Sequence, residues 1–125
     1  MIYGIGTDLV DPARIASSLE RYGEQFARRV LADSEWPDYL EHIKPALFLA
    51  KRFAAKEAFS KATGTGLRAP VMFGNMAVQH DSQGKPYFEF QQELAEWIGQ
   101  RGITRHHLSI SDELTMVSAF VVLEK

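Results

Sequence analysis

The sequence predicts a single α+β domain over residues 1–125, an antiparallel sheet packed with helices. Two observations predict it. Apolar residues recur at helical spacing through the first half of the chain and again over residues 92–101, whereas β-branched and aromatic residues gather in short runs at the start and through the second half. Turn-forming clusters separate those runs, and no repeat, linker or low-complexity stretch divides the chain. A length of 125 residues suits one hydrophobic core.

Taken in order, residues 2–10 are rich in Ile, Tyr, Thr and Val and predict a short strand ending near Asp8. Asp11-Pro12 reads as a helix start, with the Asp11 side chain as N-cap and Pro12 at the first helical position. Ile15, Leu19, Phe26 and Val30 then supply an apolar face to about Leu31, with Gly23 as the point of interruption. A short helix over Glu35–His42 follows Asp33-Ser34. The longest helix begins near Pro45 and stops by Gly64, since glycine takes the left-handed cap conformation. Beyond it, residues 71–79 predict a strand, residues 80–85 (HDSQGK) a turn and residues 86–90 (PYFEF) its partner. Gln92–Arg101 carries Leu94, Trp97 and Ile98 on one helical side and ends at Gly102. His107–Ser111 and Met116–Leu123 predict a hairpin around Asp112–Thr115.

Composition narrows the function. With 46% hydrophobic and 24% charged residues the chain is an ordinary soluble globular type. It has no cysteine, so disulfides and thiolate metal sites are excluded and nothing suggests an oxidising compartment. No apolar run approaches the ~20 residues of a membrane span, and MIYGIGTDLV lacks the features of a signal peptide, so no membrane association is expected. A net charge of −2 argues against general nucleic-acid binding.

The segment FLAKRFAAKEAFSKATGTG, residues 48–66, carries the most chemistry. Its stripe Leu49, Phe53, Glu57, Lys61 runs from apolar residues into an opposite-charge pair at i,i+4. As a surface ion pair that pair stabilises a helix by only ~0.3–0.5 kcal/mol, and its place at the end of a core-facing stripe is left unaccounted for. If the stripe faces the core, Glu57 and Lys61 emerge at a cleft, where Glu57 and Asp8 together suit a hard cation such as Mg²⁺ and Lys61 suits phosphate oxygens. The two glycines before Asp8 permit close backbone approach but form no nucleotide fingerprint. His107, Ser109 and Ser111 share one face of the HLSIS strand, while His42, His80 and His106 read as surface residues and Gly84-Lys85-Pro86 as turn chemistry. In the first helix Arg14, Arg21 and Arg28 recur at intervals of seven, a basic stripe that fits either solvent or an acidic partner helix.

In combination, GIGTDLV, FLAKRFAAKEAFSKATGTG, GKP and HLSIS make the chain resemble the small 4′-phosphopantetheinyl transferases of the holo-[acyl-carrier-protein] synthase family, along essentially its whole length. The resemblance implies that family's fold and a magnesium-dependent transfer of phosphopantetheine from coenzyme A to a serine of apo-acyl carrier protein, in support of fatty acid biosynthesis. It further implies a cytoplasmic homotrimer with coenzyme A in clefts between subunits. Asp8 and Glu57 match the metal-binding carboxylates, Lys61 the phosphate-contacting lysine, and His107 the histidine of the last motif. Gly64, Thr65, Gly66, Lys85, Pro86 and Ser109 fall in segments lining the coenzyme A site, and Arg14 matches a carrier-binding arginine that Arg21 and Arg28 would extend. Glu57, a metal-bound water and His107 all stand as candidates for the base. Asp112 replaces the second histidine common in the last motif and stays outside the catalytic set. Two alternatives belong to other classes: a noncatalytic coenzyme A- or nucleotide-binding domain, and a protein-interaction module that binds neither coenzyme A nor Mg²⁺.

Overall fold

A central helix organises the chain. In the computed structural model, which describes residues 1–125, twelve of the nineteen residues of this helix (Pro45–Thr63) are buried, so it is enclosed on nearly every side. The elements in chain order are β1 (Ile2–Val10), α1 (Pro12–Tyr22), α2 (Glu24–Val30), a 3₁₀ turn (Asp33–Glu35), α3 (Trp36–Glu41), the central helix α4, a second 3₁₀ turn (Phe73–Asn75), β2 (Met76–His80), β3 (Pro86–Phe90), α5 (Gln92–Gln100), β4 (Arg105–Glu113) and β5 (Met116–Glu124). Two antiparallel sheets result, a three-stranded one ordered β1-β5-β4 and a two-stranded one of β2 and β3.

The three-stranded sheet packs one face against α4. Val10, Leu108, Val117, Ala119, Val121 and Leu123 are buried there with Leu49, Ala54, Ala58 and Phe59 of the helix. Glycine sets the spacing. A Cβ on Gly4 would lie 2.0 Å from the Ala62 carbonyl oxygen, and one on Gly6 would lie 1.9 Å from that of Ala58. Backbone therefore meets backbone along β1, an approach that any side chain would block.

A charged cluster holds the other side of α4. Glu35 and Lys56 are fully buried and Arg52 nearly so. The Glu35 carboxylate accepts from Arg52 Nε at 2.8 Å, from the amides of Ala32 and Val78 at 2.8 and 2.9 Å, and from Lys56 Nζ. Lys56 also donates to the carbonyls of Val30 (2.7 Å) and Phe73 (3.1 Å), and Arg52 to that of Val78 (3.1 Å). Desolvation pulls the Lys56 pKa down to about 8, with the Glu35 charge opposing it.

The structure revises several sequence expectations. β1 continues past Asp8 to Val10, because Leu9 and Val10 pair with Ser118 and Val117. The interruption expected at Gly23 is present: with φ 62° it caps α1 and starts α2, so the first helix is two. Residues 71–79 are not one strand: Phe73–Asn75 forms a 3₁₀ turn, with Phe73 stacked on Phe53 at 5.3 Å, and β2 begins only at Met76. The last hairpin is longer and tighter than expected, with strands to Glu113 and from Met116 around Leu114-Thr115. His106 is no surface residue. It lies half-buried against Phe88 and Phe90, and its Nε2 accepts from the Phe88 amide at 3.0 Å, joining the two sheets.

Two outcomes test this packing. Gly6→Ala forces β1 away from α4 and is expected to cost roughly 3 kcal/mol in chemical denaturation, whereas Gly99→Ala, with open space at its Cβ inside α5, is expected to gain up to about 1 kcal/mol. Burial lowers the His106 pKa below its ordinary 6.5, with the His107 charge a smaller cause. The folded state thus keeps the imidazole neutral while the unfolded chain protonates it, so this contribution is full above about pH 6.5 and is lost as pH falls below it. Denaturation midpoints are expected to drop between about pH 7 and 5, and His106→Gln, which keeps an acceptor without titrating, is expected to flatten that drop.

Candidate functional site

The close approach of β1 to α4 brings three of the sequence-predicted residues together. Lys61, on the last turn of α4, donates from Nζ to the Thr7 carbonyl at 3.0 Å and to Asp8 Oδ1 at 3.2 Å. The helical i,i+4 ion pair with Glu57 does not form; the lysine reaches across to the strand instead. Half of its side chain stays exposed, so the ammonium remains accessible to a ligand. Glu57 is half-buried beside it. Its carboxyl pKa is raised, first by desolvation and then by the Asp8 charge, with Lys61 only partly offsetting this.

Asp8 Oδ2 is buried and has no hydrogen-bond partner. A buried carboxylate oxygen without a donor is costly, and a neighbouring carboxylate of raised proton affinity adds repulsion. A cation would relieve both. Nowhere does the chain gather three His, Cys, Asp or Glu side chains as a metal-binding group. The two carboxylates therefore fit a hard cation that completes its shell with water and ligand oxygens, not a zinc site enclosed by protein.

Gly64 and Gly66 follow directly, both with positive φ (81° and 68°), and end α4. Their amides bond back to Lys61 and Ser60, and the Thr65 hydroxyl lies 2.9 Å from both the Thr63 hydroxyl and the Gly66 carbonyl. Thr65 borders an open cleft with Arg68, Trp97 and Arg101.

His107 and Ser109 stand elsewhere. Through β5, His107 is in register with Val122 and Ile5, and Ser109 with Phe120 and Thr7, so both point to the face of the sheet away from α4. Asp8 is in register with Ala119 and Ile110 and faces α4. His107 Nε2 lies 2.6 Å from Glu124 Oε1, a contact that lowers the Glu124 pKa. Around His107 the outer face is apolar, with Ile5, Leu9 and Phe120 all exposed. Lys85 and Pro86 follow the β2–β3 turn, where Asp81 Oδ1 accepts from the amides of Gln83 and Lys85. Asp112 pairs with Lys51 at 3.2 Å, which ties the hairpin to α4.

The basic stripe is shorter than the sequence suggests. Arg14 and Arg21 are exposed on α1. Arg28 lies beyond the break on α2, where it pairs with Glu24 at 2.9 Å and stacks on Trp36 at 4.0 Å. Between α1, α2 and residues 72–74 runs an apolar groove of about 790 Å³, lined by Tyr22, Phe26, Phe53, Leu67, Met72 and Phe73. Ser18, which lies between Arg14 and Arg21 in α1, borders it, and Phe53 stands one helical turn before Glu57.

This arrangement has known relatives. The profile of the 4′-phosphopantetheinyl transferase superfamily matches residues 4–111, and the chain belongs to that family. The holo-[acyl-carrier-protein] synthase of Nitrosomonas eutropha is 82% identical over 125 residues, covering all of both chains. Among solved structures, the holo-[acyl-carrier-protein] synthase of Neisseria meningitidis superposes with a TM-score of 0.98 at 50% identity over all of both chains. That of Bacillus anthracis, in complex with CoA (3′,5′-ADP), superposes with a TM-score of 0.79 at 36% identity over 98% of this chain and 96% of that one.

The electrostatic reading has a direct test. Removing the Asp8 charge in Asp8→Asn takes away one of the two causes that raise the Glu57 pKa. The Glu57 carboxyl resonance is expected to titrate at lower pH in that variant than in the wild type, in metal-free solution followed by NMR.

Proposed function

We propose that residues 1–125 act as one transferase domain that moves 4′-phosphopantetheine from coenzyme A to a serine of apo-acyl carrier protein, with Mg²⁺ held by Asp8 and Glu57. The contact of Lys61 with Asp8 at 3.2 Å, beside a carboxylate pair that includes an unpartnered buried oxygen, carries this reading, because it joins a cation-seeking site to an accessible ammonium. Family membership supplies the reaction class. Carrier-protein loading of this kind supports fatty acid biosynthesis, and the use of coenzyme A supports a cytoplasmic setting.

The serine oxygen attacks the β-phosphorus of coenzyme A. The pyrophosphate bond breaks, and adenosine 3′,5′-bisphosphate leaves with the bridging oxygen. Lys61 meets the charge that gathers on the phosphate oxygens, and its hold on the Thr7 carbonyl fixes the ammonium before substrate arrives. Asp8 and Glu57 supply anionic oxygens to the cation, which when bound polarises the phosphate oxygens and neutralises developing charge. For the proton leaving the serine, Glu57 stands within the site, whereas His107 points to the opposite face of the sheet.

That separation supports a homotrimer. The apolar outer face (Ile5, Leu9, Phe120) needs a cover, and a second copy laid on it would carry its own Asp8 edge toward His107 and Ser109. Coenzyme A would then lie between subunits, with Gly64–Gly66 on one side and Lys85, Pro86, His107 and Ser109 on the other. Carrier protein would dock on α1, with its acidic helix against Arg14 and Arg21 and its apolar residues in the groove. Arg28, already engaged by Glu24, contributes little there.

Intact-mass measurement of apo-carrier protein after incubation with coenzyme A is expected to show the added phosphopantetheine only when Mg²⁺ is present. Glu57→Gln is expected to lose at least a hundredfold in kcat/KM while keeping the wild-type fold, since it removes charge without opening a cavity. Arg14→Glu is expected to weaken carrier binding about tenfold or more at low salt and to leave coenzyme A binding unchanged. No mass gain by the wild type with Mg²⁺ would leave a binding domain without transferase activity.

A further inference from the structure

The docking groove has two walls, and one buried side chain spans them. Val30 at the end of α2 forms part of one wall, and Phe73 in the second 3₁₀ turn forms part of the other. The two segments are joined to α4 from beneath by Lys56, whose ammonium donates to the Val30 carbonyl at 2.7 Å and to the Phe73 carbonyl at 3.1 Å. The same ammonium is anchored by Glu35, and its side chain is fully enclosed. We propose that Lys56 is a positioning residue for partner docking: it sets the spacing between the α2 wall and the 72–74 wall of the groove, and so the fit of the carrier protein's apolar residues beside Glu57. This inference rests on the reading of the groove as the carrier's docking surface.

The geometry separates this role from general stability. Three donor hydrogens on one ammonium serve three acceptors on separate segments, and two of those acceptors are main-chain carbonyls of groove residues. A neutral side chain of equal length leaves both carbonyls without a donor, so each wall segment is free to relax toward water. Arg52 belongs to the same buried cluster, yet its bonds run to Glu35 and to the Val78 carbonyl in β2, away from the groove. Loss of Arg52 therefore disturbs the cluster without touching either wall.

Steady-state kinetics on the full-length protein, with coenzyme A and apo-carrier protein varied separately, tests the proposal. Lys56→Met is expected to raise the KM for carrier protein about tenfold, with the KM for coenzyme A and kcat at saturating carrier changed less than about threefold. Arg52→Met is expected to lower the melting temperature while leaving both KM values near wild type. Should Lys56→Met not fold, Lys56→Gln, whose amide reaches one wall but not both, is expected to give the same split at smaller amplitude. An unchanged KM for carrier protein in the folded Lys56 variant, or an equal rise in both KM values, overturns the inference. The groove reading itself fails separately: Phe26→Ala, which alters the wall surface and spares Lys56, would then leave the KM for carrier protein unchanged.

Discussion

The near-contact of two backbones, β1 against α4, is the constraint on which the site depends. Gly4 and Gly6 lie against the carbonyls of Ala62 and Ala58, one helical turn apart, so strand and helix meet at two successive points. Two such points fix the sliding of the strand along the helix as well as its distance. The next residues of β1, Thr7 and Asp8, are thereby set level with Lys61, which bonds to both. With any larger side chain at Gly6, the strand would stand off and the lysine would lose its reach.

A helix held on one side alone is free to roll. The Glu35–Lys56–Arg52 cluster removes that freedom from the opposite side, because its hydrogen bonds reach α2, the first 3₁₀ turn, the 73–75 turn and β2. Burying three charges carries a desolvation cost that apolar packing would avoid. The orienting share of the cluster falls to Lys56, which alone reaches α2 and the 73–75 turn, while Arg52 chiefly offsets the buried Glu35 charge. Each of its bonds has one partner geometry, whereas alanines and leucines pack acceptably over a range of rotations. With its roll fixed, α4 presents Glu57 and Lys61 at the edge of β1 and Phe53 to the groove.

What the sequence made legible divides along the same lines. The Asp11-Pro12 cap, the span Pro45–Gly64 and the β3 strand follow from local chemistry, and the structure bears them out. The two glycines before Asp8 were legible as permitting close approach, though not which element would approach. Residues 71–75 misled because Val71, Met72 and Phe73 have strand-like composition while the Phe53–Phe73 stack, a tertiary contact, decides their shape. Lys56 and Arg52 were invisible for a related reason. In a sequence they read as solvated charges, and only Glu35, 17 and 21 residues away, makes their burial tolerable. His106 shows the same limit, since its acceptor role depends on an amide 18 residues distant. The i,i+4 spacing of 52 and 56 was the one available signal, and it is shared by countless surface pairs.

Strand parity has a consequence for the proposed assembly. Side chains alternate between the faces of a sheet, and the register places His107 on the row of Val122 and Ile5 but Asp8 on the row of Ala119 and Ile110. No rotamer carries an imidazole through a sheet. Within one chain, then, the His107 and Ser109 side chains and the carboxylate pair lie on opposite faces of the sheet and do not meet at one phosphate group. The proposed intersubunit site resolves this without strain, since two copies related by rotation present opposite faces to the same cleft. It also gives the outer face a reason to be apolar: Ile5 and Leu9 occupy the alternate positions of the strand whose inward positions carry Gly6 and Asp8. In that proposal one strand serves the proposed catalytic residues with one parity and the proposed assembly with the other, so a slip of one residue in the β1–β5 register would disable both at once.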